Sequence, residues 1–495
     1  MTGGVQVAAY QLILLVLSSS SLLPLLLRLL ASSSTSRRRC RHGSNCNDSN
    51  DGDKQQQQQL LLPPSPPGRL PINGHLHLVG SLPHVSLRDL ASCSSTSAPP
   101  PTWWSAPRAP PRPSSARTTT SSRRGPRPGS PTAGLVYGSS GVAFSPYGHH
   151  WRQVRKLVTT HLLTLKKVHS YRCARREEVS LVIAKIREAV AAGVAVDMSA
   201  AMNTFSNDII SRAVSGKFFR AEGRNKLFRE LVKTNSNLFG GFNLEEYLPG
   251  LVDSLGFLCR WFRLGNNRAV DAHHKRWDEL LETVVSDHER RNSSLHRHGR
   301  AGDFTDVLLS VYQEYGITRD HVKAILMGMF AAGTGTSSLV LEFAMAELMR
   351  NPQCRTKLQD EIRENTPEGQ EMVEEENLGS MPYLRAVVKE TLRLHPPSWE
   401  KPEEFMPERF MDGGNAAGVD FRGNDFQFLP FGAGRRICPG INFGLATVEI
   451  MLANLMYCFD WQLPVGMEEK DVDMTEVFGL TMHLKETLML VPKLP

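Results

Sequence analysis

The sequence lacks the features of several common protein classes. Its eight cysteines are scattered over 495 residues without a C-x-x-C pair or a regular spacing, which argues against a disulfide scaffold or a zinc site. It contains no glycine-rich fingerprint for a flavin or nicotinamide cofactor. No zinc-finger, homeodomain or RNA-binding motif occurs either, so we predict that the protein does not bind nucleic acid.

Acidic residues are scarce only towards the N-terminus. Residues 1–134 contain 14 Lys or Arg against 4 Asp or Glu, a net charge of +10, whereas the remaining residues contain 43 against 46, a net charge of −3. The overall charge of +7 is therefore local, and the body of the protein is close to neutral. With 41% hydrophobic and 22% charged residues, the composition excludes a polytopic membrane protein and a wholly disordered chain.

The first apolar run has no basic residue before it. It extends from Val5 to Leu27, 23 residues that could cross a bilayer with some tilt, and five arginines follow it within residues 28–41. A cleaved signal peptide would carry basic residues before the run and a small-residue cleavage site after it. We predict an uncleaved, single-pass membrane anchor in residues 1–30 with the body in the cytosol. Residues 31–68 are predicted to form a polar linker and a proline-rich hinge, and residues 69–495 the main domain.

Residues 92–134 contain no Asp, Glu, Lys, Leu, Ile, Val or Phe. Proline and serine make up 20 of these 43 residues, with six threonines and six arginines among the rest. Such a composition predicts no helix or strand with a buried face. Two interpretations of this low-complexity segment are open: it is a disordered basic arm, or it is translated from coding sequence that is read in the wrong frame. We favour the wrong frame, because apolar periodicity resumes at once with Leu135.

Strand patterns are few, and helical periodicity dominates from Tyr147 onward. Apolar residues recur at three- and four-residue spacing in the predicted helices, which are Trp151–Leu165, Arg176–Ala192, Ser206–Val214, Arg268–Asn292, Arg319–Arg350, Cys354–Arg363 and Ile441–Tyr457. Extended segments are predicted only around Leu480–Leu484 and Thr487–Val491. The sequence therefore predicts a mainly α fold in which strands are the minority.

One cysteine stands in a sequence unlike the surroundings of the others. Cys438 ends the run FGAGRRIC and is followed by Pro439, Gly440 and a predicted helix. The glycines allow a tight loop, and the helix start places backbone N–H groups near the sulfur. Such a position favours the thiolate, the form of cysteine that binds iron. Four other cysteines are expected to be free and buried, namely Cys173, Cys259, Cys354 and Cys458.

The spacing F-x-x-G-x-R-x-C-x-G resembles the haem-binding loop of the cytochromes P450. Its fixed positions are Phe431, Gly434, Arg436, Cys438 and Gly440. The resemblance implies the fold of that family, a helix-rich haem-thiolate domain with small β-sheets. It also implies haem b, iron protoporphyrin IX, as the cofactor, with Cys438 as the iron ligand and the other four residues around the haem.

Two further motifs resemble the same family. Glu390 and Arg393 share a helical face and, with Arg409 in a later Pro-Glu-Arg-Phe sequence, are similar to the family's buried Glu-Arg-Arg network. Trp151 and Arg155 resemble the W-x-x-x-R motif of a helix that meets a haem propionate. Residues four apart share a face, so the indole N–H and the guanidinium can point at one carboxylate. Alone, each motif would fit an ordinary ion pair or a core tryptophan.

The long predicted helix contains the sequence AAGTGT at residues 331–336. This sequence resembles the family's oxygen-binding groove, in which small residues open the helix and Thr336 passes protons to dioxygen. The family normally has an acidic residue where this chain has Gly335, so the proton supply lacks a carboxylate. The alternative is an ordinary packed helix of small residues.

Further details are similar to plant family-71 enzymes, including PYG at residues 146–148, MPYL at 381–384 and DFQFLPF at 425–431. Residues 239–247, FGGFNLEEY, are similar to grass members that hydroxylate indole-derived defence compounds. After Pro397, however, the chain passes through Ser398 directly to Trp399. Relatives carry several dozen residues there, with sheet strands, a substrate-contact segment and a basic haem-propionate ligand.

The resemblance implies a monooxygenase that inserts one oxygen atom from O2 into a small hydrophobic secondary metabolite. Its electrons would come from NADPH-cytochrome P450 reductase, and the protein would lie in the endoplasmic reticulum membrane. Two other hypotheses stay open. One is a non-catalytic or misfolded product of a truncated or mis-spliced gene, and the other is a membrane-tethered interaction protein.

Overall fold

Helices make up most of the described chain. The computed structural model describes residues 131–216, 223–240, 256–294, 302–394, 399–425, 427–477 and 481–495. In these residues the α-helices are α1 (Pro131–Leu135), α2 (His149–Leu157), α3 (Leu165–Ser170), α4 (Arg172–Ala192), α5 (Met198–Ser215), α6 (Arg224–Gly240), α7 (Gly256–Ser294), α8 (Phe304–Val311), α9 (Arg319–Arg350), α10 (Pro352–Glu364), α11 (Pro382–Arg393) and α12 (Ile441–Cys458). The predicted mainly α architecture is confirmed for this part of the chain. The predicted anchor, the linker and most of residues 92–134 lie outside it.

Side-chain caps fix the starts of two buried helices. The Asp197 carboxylate accepts a hydrogen bond from the Ala200 N–H at 2.7 Å, so α5 begins eight residues before its predicted start. Thr318 and His321 form a reciprocal capping box at the start of α9, which has the predicted bounds. These caps satisfy backbone N–H groups that a helix start otherwise leaves without partners.

The predicted helix Trp151–Leu165 is wrong as a continuous element. α2 ends before a π-helical turn at Val158–Leu162, and α3 then begins as a separate helix. The break occurs because the Thr164 hydroxyl accepts a hydrogen bond from the Lys167 N–H at 3.2 Å and caps a new helix. The hydrophobic periodicity continues across this break, so the sequence pattern alone does not show that a new helix begins after Thr164.

The strands form two small antiparallel sheets in the described ranges. In the first, β5 (Met489–Lys493) lies between β1 (Val196–Asp197) and β2 (Asp460–Gln462). In the second, β3 (Glu476–Val477) pairs with β4 (His483–Leu484). The register is given by the pairs Val196–Leu490, Asp197–Met489, Trp461–Pro492 and Glu476–Leu484. The two extended segments predicted near the C-terminus overlap β4 and β5.

α9 is the central helix and passes through two hydrophobic cores. Its N-terminal half, from Val322 to Phe330, packs with buried residues of α2, α5, α6, α7 and α8. Its C-terminal half, from Leu341 to Met349, packs with α4, α5, α10, α11 and α12. Between these halves, Ala332 and Thr336 are exposed. The helix therefore has an uncovered stripe at its centre, where the two cores meet.

A third, aromatic core lies after residue 394. Trp399, Phe410 and Phe428 pack together with ring centroids 5.4 to 6.1 Å apart. The Trp399 indole N–H also donates to the Gln427 carbonyl at 3.1 Å. The chain is thus firmly packed immediately after the Pro397–Trp399 junction.

Two of the described helices, α9 and α12, are long and apolar enough to cross a membrane by length and composition alone. In their most apolar windows, 56% and 61% of the residues are buried inside the protein. Because both helices also contribute to the hydrophobic cores, we assign them to the protein interior.

Two composition-based predictions are corrected. Residues 131–134 belong to α1, where Ala133 is buried, although the composition of 92–134 predicts no helix with a buried face. Proline at the first position of α1 suits a helix start, because that N–H has no partner in any case. Of the four cysteines expected to be buried, Cys458 is buried, Cys354 is half-buried and Cys173 is exposed. The side chain of Cys259 lies outside the described residues.

Candidate active site

Two glycines shape the loop that precedes Cys438. Gly432 and Gly434 have left-handed backbone conformations, with φ of 72° and 68°, which glycine adopts without strain. The Cys438 N–H then donates to the Phe431 carbonyl at 2.9 Å and closes the loop. The tight turn that the glycines predict is therefore present.

The Cys438 sulfur lies at the start of α12. The N–H of Gly440, the N-cap residue of this helix, donates to Sγ at 3.3 Å. Burial raises the pKa of the Cys438 thiol, while the Gly440 hydrogen bond and the charge of Arg155 act to lower it. The helix start thus acts towards the thiolate, as predicted, but burial acts in the opposite direction and outweighs it. A metal cation on the sulfur would reverse this balance.

Trp151 and Arg155 both lie on α2, but their donors point at different acceptors. Arg155 Nη2 donates to the Ile437 carbonyl at 2.5 Å, next to Cys438. The buried Trp151 indole donates to the Val142 carbonyl at 3.1 Å. The two donors therefore do not converge on one group here. Each is used by a backbone carbonyl, and Arg155 holds α2 against the Cys438 loop.

Arg436 fastens the same loop to the segment before α2. Its guanidinium lies over the Trp151 ring, 4.7 Å from the ring centroid. It also donates to the backbone carbonyls of Ser145 at 2.6 Å and Ala143 at 3.3 Å. Through these contacts the loop, the tryptophan and the segment before α2 form one unit.

Glu390, Arg393 and Arg409 form a buried network. Arg393 donates to both carboxylate oxygens of Glu390, at 2.8 and 3.0 Å, and Arg409 donates to one of them at 3.2 Å. All three residues are at most 3% exposed. The other guanidinium donors bind backbone carbonyls within residues 400–404. Buried charges are tolerated when they are paired and hydrogen-bonded in this way.

Thr336 lies on the exposed stripe of α9. Its hydroxyl donates to the Ala332 carbonyl at 2.6 Å. The helix is α-helical from end to end, so the predicted opening is a gap in side-chain cover rather than a break in the backbone. Gly333 packs closely on α5, because an added Cβ would lie 2.8 Å from the Ile210 side chain.

Gly335 lies beside Thr481, a residue that carries no local sequence signal. A Cβ atom at Gly335 would be 3.8 Å from Thr481 Oγ1, and no other atom of the described neighbours would lie within 4 Å. The position therefore has room for a side chain. Only the fold of the C-terminal strands brings Thr481 to this place, so periodicity and spacing could not have identified it.

A second cluster, away from Cys438, has the composition of a metal site. His288, Asp303 and Asp306 place one possible ligand atom each within 4.8 Å of one another. However, the two aspartates already form the capping box of α8, and the His288 nitrogens face Asp303 at 2.9 Å and the Val284 carbonyl at 2.6 Å. Burial acts to lower the pKa of His288, but its hydrogen bond to Asp303 and the charge of Asp303 outweigh burial and raise it. Because both ring nitrogens and both carboxylates already take part in hydrogen bonds, we interpret the cluster as a structural cap.

The domain is helix-rich and presents a cysteine at the start of α12, a helix that packs on the central helix α9. This is the architecture of a haem-thiolate protein. The chain belongs to the cytochrome P450 family, whose model, described as Cytochrome P450, matches residues 63–398 and 397–491. The chain is 45% identical over 474 residues to the indole-2-monooxygenase of Zea mays, with 87% of each chain covered. It is 43% identical over 479 residues to the indolin-2-one monooxygenase of Zea mays, with 87% of this chain and 88% of the relative covered. It is 36% identical over 470 residues to Cytochrome P450 71A1 of Persea americana, with 85% and 91% covered.

These comparisons confirm the predicted resemblance to plant family-71 enzymes, and the family implies a cytochrome P450 monooxygenase with haem, iron protoporphyrin IX, as its cofactor. The described residues fit this group. Cys438 supplies a soft sulfur ligand of the kind that iron accepts. The exposed stripe at Ala332 and Thr336 leaves an uncovered face on a helix that is otherwise largely buried.

Proposed function

We propose that this chain is a haem-thiolate monooxygenase that inserts one oxygen atom from O2 into a small hydrophobic plant metabolite. The observation that carries the proposal is the Cys438 loop, which holds a half-buried sulfur between the Gly440 N–H and Arg155. When bound there, haem supplies the activation of O2, and a thiolate ligand favours cleavage of the O–O bond.

In this proposal Cys438 is the iron ligand, and its neighbours hold the cofactor. Arg155 and Arg436 would bind the haem propionates through further N–H groups, since a guanidinium has five donors and its hydrogen bonds to carboxylates are charge-assisted. Trp151 would support Arg436 through its ring while keeping its own hydrogen bond to Val142. Three loop residues act mainly through the backbone, namely Phe431, Gly434 and Gly440. The Glu390–Arg393–Arg409 network is structural and holds the chain after residue 399 against α11.

Thr336 is proposed to guide protons to the reaction. Its hydroxyl hydrogen is directed to the Ala332 carbonyl, which leaves the oxygen as an acceptor on the exposed stripe. A proton taken up at Thr336 Oγ1 must be renewed from a nearby acid. Gly335 provides none, so we expect slow proton delivery and loss of electrons to side reactions.

The substrate is proposed to be a small bicyclic compound of indole type. Two similar proteins of Zea mays are named indole-2-monooxygenase and indolin-2-one monooxygenase. The sequence FGGFNLEEY at residues 239–247 supports the same class through its likeness to grass enzymes. The site of oxygen insertion on the ring system is left open by this proposal.

The electron donor is proposed to be NADPH-cytochrome P450 reductase. Residues 148–176 contain no acidic residue, and Arg152, Lys156, Lys166 and His169 are exposed along this stretch. A basic surface of this kind favours encounter with an acidic protein domain. The surface includes α2, which contacts the Cys438 loop through Arg155.

The protein is proposed to sit in the endoplasmic reticulum membrane through residues 1–30, with the body in the cytosol. We expect protease added to sealed microsomes to digest the body, because five arginines follow the apolar run and favour the cytosolic side. Immunoblotting against a C-terminal tag measures the protected fraction, and detergent-opened microsomes are the control. Full protection of the body without detergent would show that the orientation is wrong.

Gly335→Asp should raise the amount of product formed per NADPH consumed, severalfold, because a carboxylate at this position can renew the proton that Thr336 passes on. The space beside Gly335 admits an added Cβ, whose nearest described neighbour would be Thr481 Oγ1 at 3.8 Å. The assay combines the chain, the reductase, NADPH and labelled O2 with indole and indolin-2-one, and counts labelled oxygen in the product by mass spectrometry.

Gly335→Asn is the matched control, since it has the same size and no ionisable proton. We expect it to couple NADPH to product no better than the parent. Equal gains in both variants would reject the proton-supply argument. Haem-loaded protein that transfers no labelled oxygen to either substrate, in any of the three forms, would reject the proposed substrate class.

A specific observation favours a second candidate, a non-catalytic product of a truncated or mis-spliced gene. The family model matches in two parts that meet at residues 397 and 398, where the chain passes from Pro397 to Trp399. A division at this junction supports the loss of an internal segment. Sequencing the transcript across residues 92–134 and across the junction distinguishes a real chain from an erroneous gene structure.

A further inference from the structure

Three consecutive residues between α1 and α2 have left-handed backbone conformations. The φ angle is 53° at Tyr137, 65° at Gly138 and 64° at Ser139. Glycine tolerates this region, whereas tyrosine and serine are strained in it. Ser139 is also buried, and its hydroxyl has no hydrogen-bond partner among the described residues. Strain of this kind persists only where the surrounding structure enforces it.

The contacts that enforce the turn come from a group of acidic side chains around the buried amine of Lys323. The Tyr137 hydroxyl donates to the Asp278 carboxylate of α7 at 3.0 Å. Lys323 of α9, only 5% exposed, donates to the same carboxylate at 2.6 Å and lies 5.7 Å from the centroid of the Tyr137 ring. Asp320 and Glu282 lie 3.2 and 3.5 Å from the Lys323 amine. We refer to Tyr137, Asp278 and Lys323 as the latch.

Tyr137 and Lys323 keep their protons throughout the neutral pH range. Burial and the charge of Asp278 raise the pKa of Tyr137, so the phenol stays a hydrogen-bond donor. Burial acts to lower the pKa of Lys323, but its hydrogen bonds to Asp278 and Asp320 outweigh burial and raise it. Loss of the tyrosine hydroxyl therefore removes a hydrogen bond to the charged, partly exposed Asp278 carboxylate, and hydrogen bonds to charged groups are among the stronger kinds.

The strap, residues 136–145, connects the latch with the residues proposed to hold the cofactor. In its middle, Gly141 approaches α9 so closely that an added Cβ would be 3.2 Å from a backbone carbonyl oxygen. At its far end, the carbonyls of residues 142 and 145 accept hydrogen bonds from Trp151 and Arg436, at 3.1 and 2.6 Å. The strap thus contacts the latch at one end and the Cys438 loop at the other.

We propose that Tyr137, Asp278 and Lys323 are positioning residues, which hold the strained turn and so set the strap carbonyls that fix Trp151 and Arg436 beside Cys438. Only one part of this proposal rests on the proposed function, namely that Trp151 and Arg436 help to hold haem. The strap and the loop can themselves be followed in the full-length protein with or without haem.

Tyr137→Phe tests the proposal because it removes one hydroxyl and keeps the ring. The matched control is Tyr383→Phe. The Tyr383 hydroxyl donates to Glu408 at 3.0 Å, and Lys357 donates to the same carboxylate at 2.6 Å. Both variants therefore remove a tyrosine hydroxyl from a group of tyrosine, carboxylate and lysine. Hydrogen–deuterium exchange with mass spectrometry measures the backbone amides of the strap and of residues 431–438.

We expect Tyr137→Phe to speed exchange of the Ser139 and Ser145 amides, which donate to carbonyls within the strap, by roughly tenfold or more. The Cys438 amide, which donates to Phe431, should exchange faster as well. Tyr383→Phe should leave both segments at the parent rate. Unchanged rates in Tyr137→Phe, a faster strap without a faster loop, or the same acceleration in both variants would each overturn the proposal.

Ser139→Gly provides a second test that does not depend on the folding of Tyr137→Phe. It relieves the strain at a left-handed position and removes the buried hydroxyl without a partner, so we expect slower strap exchange than in the parent. Faster strap exchange in Ser139→Gly would show that strain is not what the latch opposes, and would reject the proposal. If the protein binds no haem at all, the proposed function fails while these exchange rates still decide the role of the latch.

Discussion

Replacing Cys438 by alanine should abolish the red-shifted Soret band of the reduced carbon monoxide complex. That band reports a thiolate bound to haem iron, and alanine offers no ligand in its place. The loop would otherwise be retained, since it is closed by the backbone hydrogen bond from residue 438 to Phe431 and by the glycine conformations. A difference spectrum of the reduced protein, with and without carbon monoxide, measures the effect.

Cys354→Ala is the matched control for this experiment. Cys354 is half-buried like Cys438, and burial raises the pKa of both thiols. However, Cys354 lies on α10 near Tyr383 and has no glycine loop before it. We expect this variant to keep the band in full. A band that survives in Cys438→Ala, or disappears only in Cys354→Ala, would mean that the ligand has been assigned to the wrong cysteine.

The parts of the site that could be predicted from the sequence are those that local geometry determines. The loop before Cys438 follows from Gly432 and Gly434, since positive φ angles at these positions need glycine. Glu390 and Arg393 meet because residues three apart share a helical face. Arg409 joins them from 19 positions beyond Glu390, and only the family resemblance pointed to it.

The parts that could not be predicted depend on which groups the fold brings together from distant positions. Helical spacing places Trp151 and Arg155 on one helix, but it does not show that backbone carbonyls at residues 142 and 437 already accept their hydrogen bonds. Likewise, the helix start favours a Cys438 thiolate, yet the final balance depends on burial, which long-range packing sets.

In the secondary structure, too, the elements that local sequence determines could be predicted, and those that depend on distant partners could not. α9 was predicted with its correct bounds because its apolar residues follow one helical pattern over its full length. α8 escaped prediction because eight residues are too few for periodicity to be decisive, although the capping pair Asp303 and Asp306 was a usable signal. β1 and β3 have two residues each, and strands so short are defined by their partners rather than by their own sequence.

The chain as it stands should incorporate haem weakly, and restoring two segments should raise the haem content towards one per protein. The segments are residues 92–134, to be replaced by an in-frame equivalent, and the several dozen residues that relatives carry between Pro397 and Trp399. The family resemblance implies sheet strands in the missing residues, and their loss would leave backbone groups of neighbouring strands without partners, at a cost of roughly 1 to 3 kcal/mol for each buried group. A few such groups would cancel much of the free energy of unfolding of a typical protein, which is roughly 5 to 15 kcal/mol.

The chain after the junction is well packed in the structure, so the expected loss of stability does not arise there. Arg393 and Arg409 bind the carbonyls of residues 400–404, and Trp399 packs on Phe410 and Phe428, so the chain after the junction is already anchored. An inserted segment would therefore join a stretch that is already packed from Trp399 onward, and it would need to rebuild the strands and the basic ligand that the family resemblance implies. Absorbance of the pyridine haemochrome, divided by protein concentration, measures the haem content of each form.

A linker of glycine and serine, as long as the restored segment and inserted at the same junction, is the control for chain length alone. It can form neither the strands nor the basic contact to a propionate, so we expect it to leave the haem content as low as in the parent. Recovery with the linker would show that the junction merely strains the chain. Full haem stoichiometry and efficient oxygen transfer in the unaltered chain would show that the missing strands are dispensable, and that the packing of Trp399 and the buried Glu390–Arg393–Arg409 network suffice to hold the haem side of the domain.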